Sequence, residues 1–155
     1  MLFQISPLSA IPAATETLAG WHHHEWLHLN DPAYDRKARI AEYKTYTTPY
    51  PAMFVAHHKT TPLGSARLVE NDMDSHPELS PWLASLYVHQ NYRQNGIGVA
   101  LIQTIEKAAT ELNFESIYLF TEDMQTLYKK QGWEVYLTEE YYDQSITIMR
   151  KQLKK

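Results

Sequence analysis

Arg93, Gly96 and Gly98, spaced Arg-x-x-Gly-x-Gly, are the residues whose types and spacing most plainly imply chemistry. Glycine lacks a Cβ and lets backbone approach a ligand closely, and the first turn of a helix carries unpaired N–H groups and a partial positive charge. Arg93 adds a fixed charge and a fork of donors suited to phosphate oxygens. Such a site wants an anion, and we read it as a pyrophosphate cradle. The flanks supply the elements that must hold it. Leu83 to Val88 is apolar and strand-compatible, Gln90 to Asn95 is wholly polar, and from Ile97 the apolar residues fall at helical spacing. A strand therefore hands over to a helix through the two glycines.

Two other phosphate sites are excluded by spacing. A P-loop needs a lysine after its glycines, and a Rossmann fingerprint needs a third glycine where Leu101 stands. With Val88 five residues ahead of Arg93 and Leu101 three beyond Gly98, the segment resembles the acetyl-CoA-binding motif of the GNAT acetyltransferase superfamily. Gln90 stands where many relatives have proline, which removes a rigid turn but no donor. The resemblance implies that the backbone of Leu86, Tyr87 and Val88 meets the pantetheine arm, and that Arg93, Gln94, Asn95, Gly96, Ile97, Gly98 and Val99 surround the pyrophosphate. Downstream, Leu127-Tyr128-x-Lys130-x-Gly132-Trp133 resembles the closing motif of the same superfamily, whose tyrosine meets the thioester sulfur; here that is Tyr128. Thr121 replaces the asparagine that many relatives place on the pantetheine arm, and Met124 stands where alanine is common.

That chemistry makes three demands. An acceptor amine with a pKa near lysine's, about 10.4, needs a base or a water path to free its lone pair. Charge developing on the carbonyl oxygen needs a donor, for which a strand amide near Leu86 is placed. The leaving thiolate, with a pKa of about 8.5, needs modest help from an acid such as Tyr128. No enzyme nucleophile is required, in keeping with the absence of cysteine.

Composition bounds the answer. At 155 residues with 44% hydrophobic and 21% charged residues, the chain reads as one soluble domain spanning 1–155. A net charge of −4 argues against nucleic acid as a partner; the basic cluster Arg150, Lys151, Lys154 and Lys155 reads as a solvated end. No Lys or Arg precedes Arg36, so a signal peptide's charged start is missing, and no apolar run approaches membrane-spanning length. The expectation is a cytoplasmic protein without a membrane partner.

Along the chain, Leu2 to Ser6 reads as a strand, Ala13 to His28 and Asp35 to about Tyr46 as helices, and Met53 to His57 with Gly64 to Val69 as a hairpin. A polar loop from Met73 to Pro81 leads to the strand from Trp82 and to a helix striped by Leu101, Ile102, Ile105, Ala108, Ala109 and Leu112. Ile117 to Phe120, a short helix from Glu122 to Lys130, and the pair Trp133 to Leu137 with Ser145 to Met149 close the chain. This is the α+β order of the GNAT fold, which implies a mixed, mostly antiparallel sheet of about six to seven strands flanked by about four helices. An open sheet of this kind often pairs with a second copy.

For the acceptor side, Trp21, Glu25 and Trp26 are expected to line or underlie the cleft, with Glu25 meeting a cationic substrate. Among carboxylates near the cleft, Glu78 is the chosen base over Glu70 and Asp72. His24-Glu25-Trp26-Leu27-His28 also satisfies the His-Glu-x-x-His zinc-peptidase pattern on a predicted helix; Glu42 could be offered as third ligand, but nothing in its surroundings singles it out. Eight histidines make a chance match easy, and that reading leaves Arg93 to Gly98 and Tyr128 unexplained, so no metal is expected. The reading as a whole is an acetyl-CoA-dependent N-acetyltransferase moving an acetyl group to a small-molecule primary amine, or less readily a peptide amine, by direct attack. A non-catalytic acyl-CoA-binding regulatory domain is the alternative.

Overall fold

The computed structural model describes residues 2–153; Lys154 and Lys155 of the basic tail lie outside the described residues. Seven strands form one sheet in the order β1-β2-β3-β4-β5-β7-β6. β1 (Gln4–Pro7), β2 (Ala52–His58), β3 (Thr61–Val69) and β4 (Trp82–Val88) run antiparallel, as do β5 (Ser116–Thr121), β7 (Gln144–Gln152) and β6 (Glu134–Tyr141). The two halves meet in parallel at β4 and β5.

Four α-helices cover the sheet: α1 (Thr15–Glu25), α2 (Arg36–Tyr43), α3 (Ile97–Glu111) and α4 (Gln125–Lys130). On one face Leu18, Ala19 and Tyr43 from α1 and α2 pack with Val55, Trp82 and Ile148 of the strands. On the other, α3 buries Leu101, Ile102 and Ile105 against Leu63, Leu83 and Ile117. Each large side chain so buried contributes about 1.5–3 kcal/mol. The α3 stripe matches its sequence pattern, with Ile97 added at the start of the buried set.

Three boundaries differ from expectation, each for a physical reason. α1 ends at Glu25, because Trp26 leaves helical geometry at φ −115°, ψ 23° and Leu27–Leu29 forms a separate short turn. α2 starts one residue after Asp35, whose carboxylate accepts from the amide of Ala38 at 2.9 Å, and stops at Tyr43. α4 starts at Gln125, three residues late, since the Thr121 hydroxyl instead accepts from the Met124 amide at 3.0 Å. The polar 70–81 loop is anchored at both ends, with Met73 and Leu79 buried and the Trp82 indole donating to the Leu79 carbonyl at 2.7 Å.

Candidate active site

β4 is built to part from its neighbour. β4 and β5 are in register only at Trp82 with Tyr118, after which β4 pairs with β3 alone and its far edge is open toward β5. On its β3 side the register slips: Ser65 pairs with Tyr87 and Arg67 with Ala84, leaving Ser85 and Leu86 opposite one residue. Ser85 takes a left-handed φ of 54°, and the Arg67 Nε donates to its hydroxyl at 2.9 Å. A bulge of this kind bends the strand and leaves a residue unpaired near Leu86. A cavity of about 500 Å³ occupies the split, with Leu86, Thr121 and Tyr128 in its wall.

At the open end of β4, Arg93 donates from Nε to the Val88 carbonyl at 2.8 Å and places its guanidinium 5.8 Å from the centre of the Tyr87 ring. The Asn95 amide donates to the carbonyls of Tyr92 and Arg93 at 3.1 and 3.2 Å. Gln94 and Gly96 both have positive φ, 66° and 80°, and Gly96 begins α3 without a side-chain cap. The first-turn amides of α3, at Ile97, Gly98 and Val99, therefore face outward without helix partners. A Cβ at Gly96 would meet nothing within 4 Å, and one at Gly98 only the Val88 methyl at 3.9 Å. Internal packing does not demand glycine at 98; its absent side chain leaves the space over the amides clear. This turn has the charge, donors and clearance for the pyrophosphate of a coenzyme A ester.

Tyr128 is 6% exposed, and its ring packs on Trp133 at 6.0 Å. Burial raises its phenol well above the ordinary tyrosine value, so the hydroxyl keeps its proton. Among the described residues that hydroxyl has no hydrogen-bond partner. Thr121 lies in the same wall, but its hydroxyl is already the acceptor for Met124.

Beyond the bulge the wall becomes polar and charged. Arg67, buried on β3, donates to Glu42 at 3.1 Å and to the Tyr46 hydroxyl at 2.7 Å, and stands 3.7 Å from Asp72. Tyr34 and Tyr46 also donate to Glu42. Burial opposes the Glu42 charge, but Arg67 and these hydroxyls outweigh it and hold the carboxyl below its usual range. Asp72 has less help. Its side chain is 20% exposed, and burial pushes its carboxyl up to about 6 against the pull of Arg67 and Arg39.

Glu25 and Trp26 are in the cavity wall. Trp21 is not: its ring lies 5.6 Å from Tyr87 and 5.0 Å from His89, on the outer part of β4. Glu78 also falls away from the cavity. Its side chain is 65% exposed, paired with His76 at 3.2 Å, and its own backbone and His76 hold its carboxyl below the usual value. The start of the loop stays at the cleft with Asp72 and Asp74 on either side of buried Met73, and of the two Asp72 is the one beside Arg67. The zinc pattern is also divided. His24 lies on α1 while His28 lies past its end, 2.7 Å from Glu122. Among the described residues no cluster of three His, Asp or Glu is arranged to hold a metal. Arg39, Glu42 and Arg67 were missed as site residues, though an arginine inside the apolar run Gly64 to Val69 was a visible signal.

A family model described as the Acetyltransferase (GNAT) family matches residues 15–133. The chain belongs to the GNAT acetyltransferase family. No curated protein matches this acetyltransferase in sequence. Its fold is similar to that of yncA from Salmonella typhimurium, a structure with acetyl-CoA, at 18% identity and a TM-score of 0.77, covering 99% of this chain and 95% of that one. It is likewise similar to an aminoglycoside 6'-N-acetyltransferase complexed with coenzyme A, at 16% identity, TM-score 0.76 and coverage of 100% and 98%. Ard1 from Thermoplasma volcanium, at 15% identity, TM-score 0.76 and 100% of both chains, has the same fold. As a member of this family the protein is an N-acetyltransferase with acetyl-CoA as its cofactor.

Proposed function

We propose that this acetyltransferase acts on a primary amine of a small molecule, which enters the charged half of the cavity and reacts at the β4–β5 split. The observation that carries the reading is the single cavity of about 500 Å³ shared by Tyr128 and Leu86 at one end and by Trp26, Glu42 and Asp72 at the other. Acetyl-CoA supplies an activated acetyl group on a thioester sulfur. The open edge of β4 and the amides of Ile97, Gly98 and Val99 would hold it, with Arg93 beside them.

The residues then divide the proton work. Asp72, raised toward neutrality yet ionised at pH 7, takes the first proton from the acceptor ammonium. A backbone amide at the bulge near Leu86 is the donor for charge building on the carbonyl oxygen. As the C–N bond forms and the C–S bond breaks, Tyr128 gives its proton to sulfur, the second proton of nitrogen passes through water to the Tyr128 oxygen, and Asp72 releases the first to solvent. The balance is one amide, one thiol and one proton released.

Among the described residues no helix is long and apolar enough to cross a membrane, and the reading makes this a cytoplasmic enzyme. β6, an outer strand of the sheet, is where a second copy would add. The test is thiol release from acetyl-CoA with two acceptor pools, one of small amines and one of peptides bearing free amino termini and lysines. Release with the small amines is expected. Release only with the peptide pool would overturn the small-molecule assignment.

A further inference from the structure

Arg39 is the buried cation of the cavity that has no acid of its own. It is 3% exposed, stands in the cavity wall, and rises from α2 beneath the segment that joins α1 to α2. Nη1 donates to the Tyr43 hydroxyl at 3.0 Å and Nη2 to the Asn30 side-chain carbonyl at 3.2 Å. Nε is buried with no partner at all. A guanidinium has five N–H donors, so three of them are unused. The face of the Tyr34 ring lies 4.7 Å away, and Glu42 and Asp72 feel the Arg39 charge only through space, since both are paired with Arg67.

The contrast with Arg67 is informative. That side chain, equally buried, takes both nearby carboxylates, Glu42 at 3.1 Å and Asp72 at 3.7 Å. Arg39 forms no ion pair among the described residues. An unpaired buried charge with vacant donors is costly, and a cavity-wall position makes a ligand able to complete it. The planar fork selects a planar acceptor with two oxygens. The rest of the wall limits the ligand's charge. Glu25, Asp31 and Asp74 also line this cavity, so a group with two or three negative charges would be repelled where a single one beside an ammonium would not.

We propose that the acceptor is an amino acid, a molecule that carries a carboxylate as well as the amine to be acetylated, and that Arg39 receives the carboxylate. This rests on the reading of the cavity as the acceptor site. It explains why one wall holds both an unpaired arginine and surplus acids: the two ends of a zwitterion need opposite partners.

The experiment is steady-state thiol release at saturating acetyl-CoA with matched sets of acceptors, each an amino acid, its carboxamide and its decarboxylated amine. For at least one set the acid should be favoured over both others in kcat/KM by roughly 10- to 100-fold, the size of a hydrogen bond to a charged group. Arg39→Lys, which keeps the charge but loses the fork, and Arg39→Gln should raise KM for that acid by a similar factor. Any change common to acid and carboxamide reflects the pull of Arg39 on Asp72, and beyond it the acid alone should lose, so that the preference collapses. A structural role alone would depress acid and carboxamide together, and that result would overturn the proposal. So would a wild-type enzyme that acetylates the carboxamides or plain amines as well as the acids, a measurement that stands even if the Arg39 variants fail to fold. In that case the amine-acetyltransferase reading survives. Silence with every amine, despite acetyl-CoA binding, would overturn the reading of the cavity and this proposal with it.

Discussion

Burial acts on Asp72 and Tyr128 in the same direction with opposite chemical consequences. It leaves Asp72 ionised at neutral pH but basic enough to accept a proton, and it keeps the Tyr128 hydroxyl protonated and able only to donate. Tyr128→Phe should therefore lower kcat about 100-fold, the scale of one acid catalyst, with acetyl-CoA affinity unchanged in a direct binding assay. Asp72 makes a second prediction, in which activity and stability move apart. Its folded pKa of about 6 lies above the ordinary aspartate value of 3.8, so the folded state holds the proton more tightly. Stability from this group is full below the lower value and is lost as pH rises through the window to about 6. Asp72→Asn should consequently cut kcat/KM and abolish the fall of rate below pH about 6, yet raise stability at pH 7–8 by on the order of 2 kcal/mol and by nothing near pH 4. Chemical denaturation at the two pH values checks the sign.

At the scale of elements, the α3 turn separates what folding needs from what the cofactor needs. Gly96 has φ 80°, a conformation in which any side chain is strained, whereas Gly98 is helical with only the Val88 methyl at 3.9 Å from an added Cβ. Gly98→Ala should therefore fold as well as the parent or better, by up to about 1 kcal/mol from helix propensity, while weakening acetyl-CoA binding measured by titration calorimetry. Unchanged affinity would remove Gly98 from the cradle. This turn was legible in the sequence because all its parts lie within sixteen residues of one another, as were the Tyr128 helix and the α3 stripe. The charged half of the cavity was not. Arg39 and Glu42 on α2, Arg67 on β3 and Asp72 after it come together only through the packing of α1 and α2 on the sheet. Glu78 is near β4 in sequence, but the burial of Met73 and Leu79 anchors the loop so that Glu78 is left exposed to solvent. The zinc pattern failed for a related reason, since periodicity carried the helix to His28 while the chain leaves it at Trp26.

For the whole molecule, the split that makes the cleft also divides the sheet into halves joined in register at one residue pair. Side chains bridge the remainder. His28, after α1, reaches Glu122 at the end of β5, and His76, on the β3–β4 loop, reaches Glu139 on β6 at 2.7 Å. The hydrogen bond that His76 donates to Glu139, against the opposing effect of burial and with Glu78 adding to it, raises the His76 pKa above its usual value. A histidine raised in the folded state stabilises fully below its unfolded pKa, about 6.5, and loses that contribution as pH climbs through the folded value. The bridge fastens to β6 the same loop that presents Asp72 to the cavity. Acid and base therefore act on this loop in opposite ways: below pH about 6 the base is protonated, and above the His76 transition the loop is held less firmly. The kcat/KM profile for the acceptor should rise on the acid side with Asp72 and sag on the alkaline side with His76. His76→Gln should remove the alkaline sag, lower rate modestly at pH 6.5, and speed amide hydrogen exchange across 70–81 at that pH, leaving the acid limb in place. The bridge itself is worth on the order of 0.5–1 kcal/mol, so loosening should be confined to the loop and its contact with β6. If exchange in the loop is the same in the parent and the variant at pH 6.5, the His76 bridge does not hold the acceptor side closed.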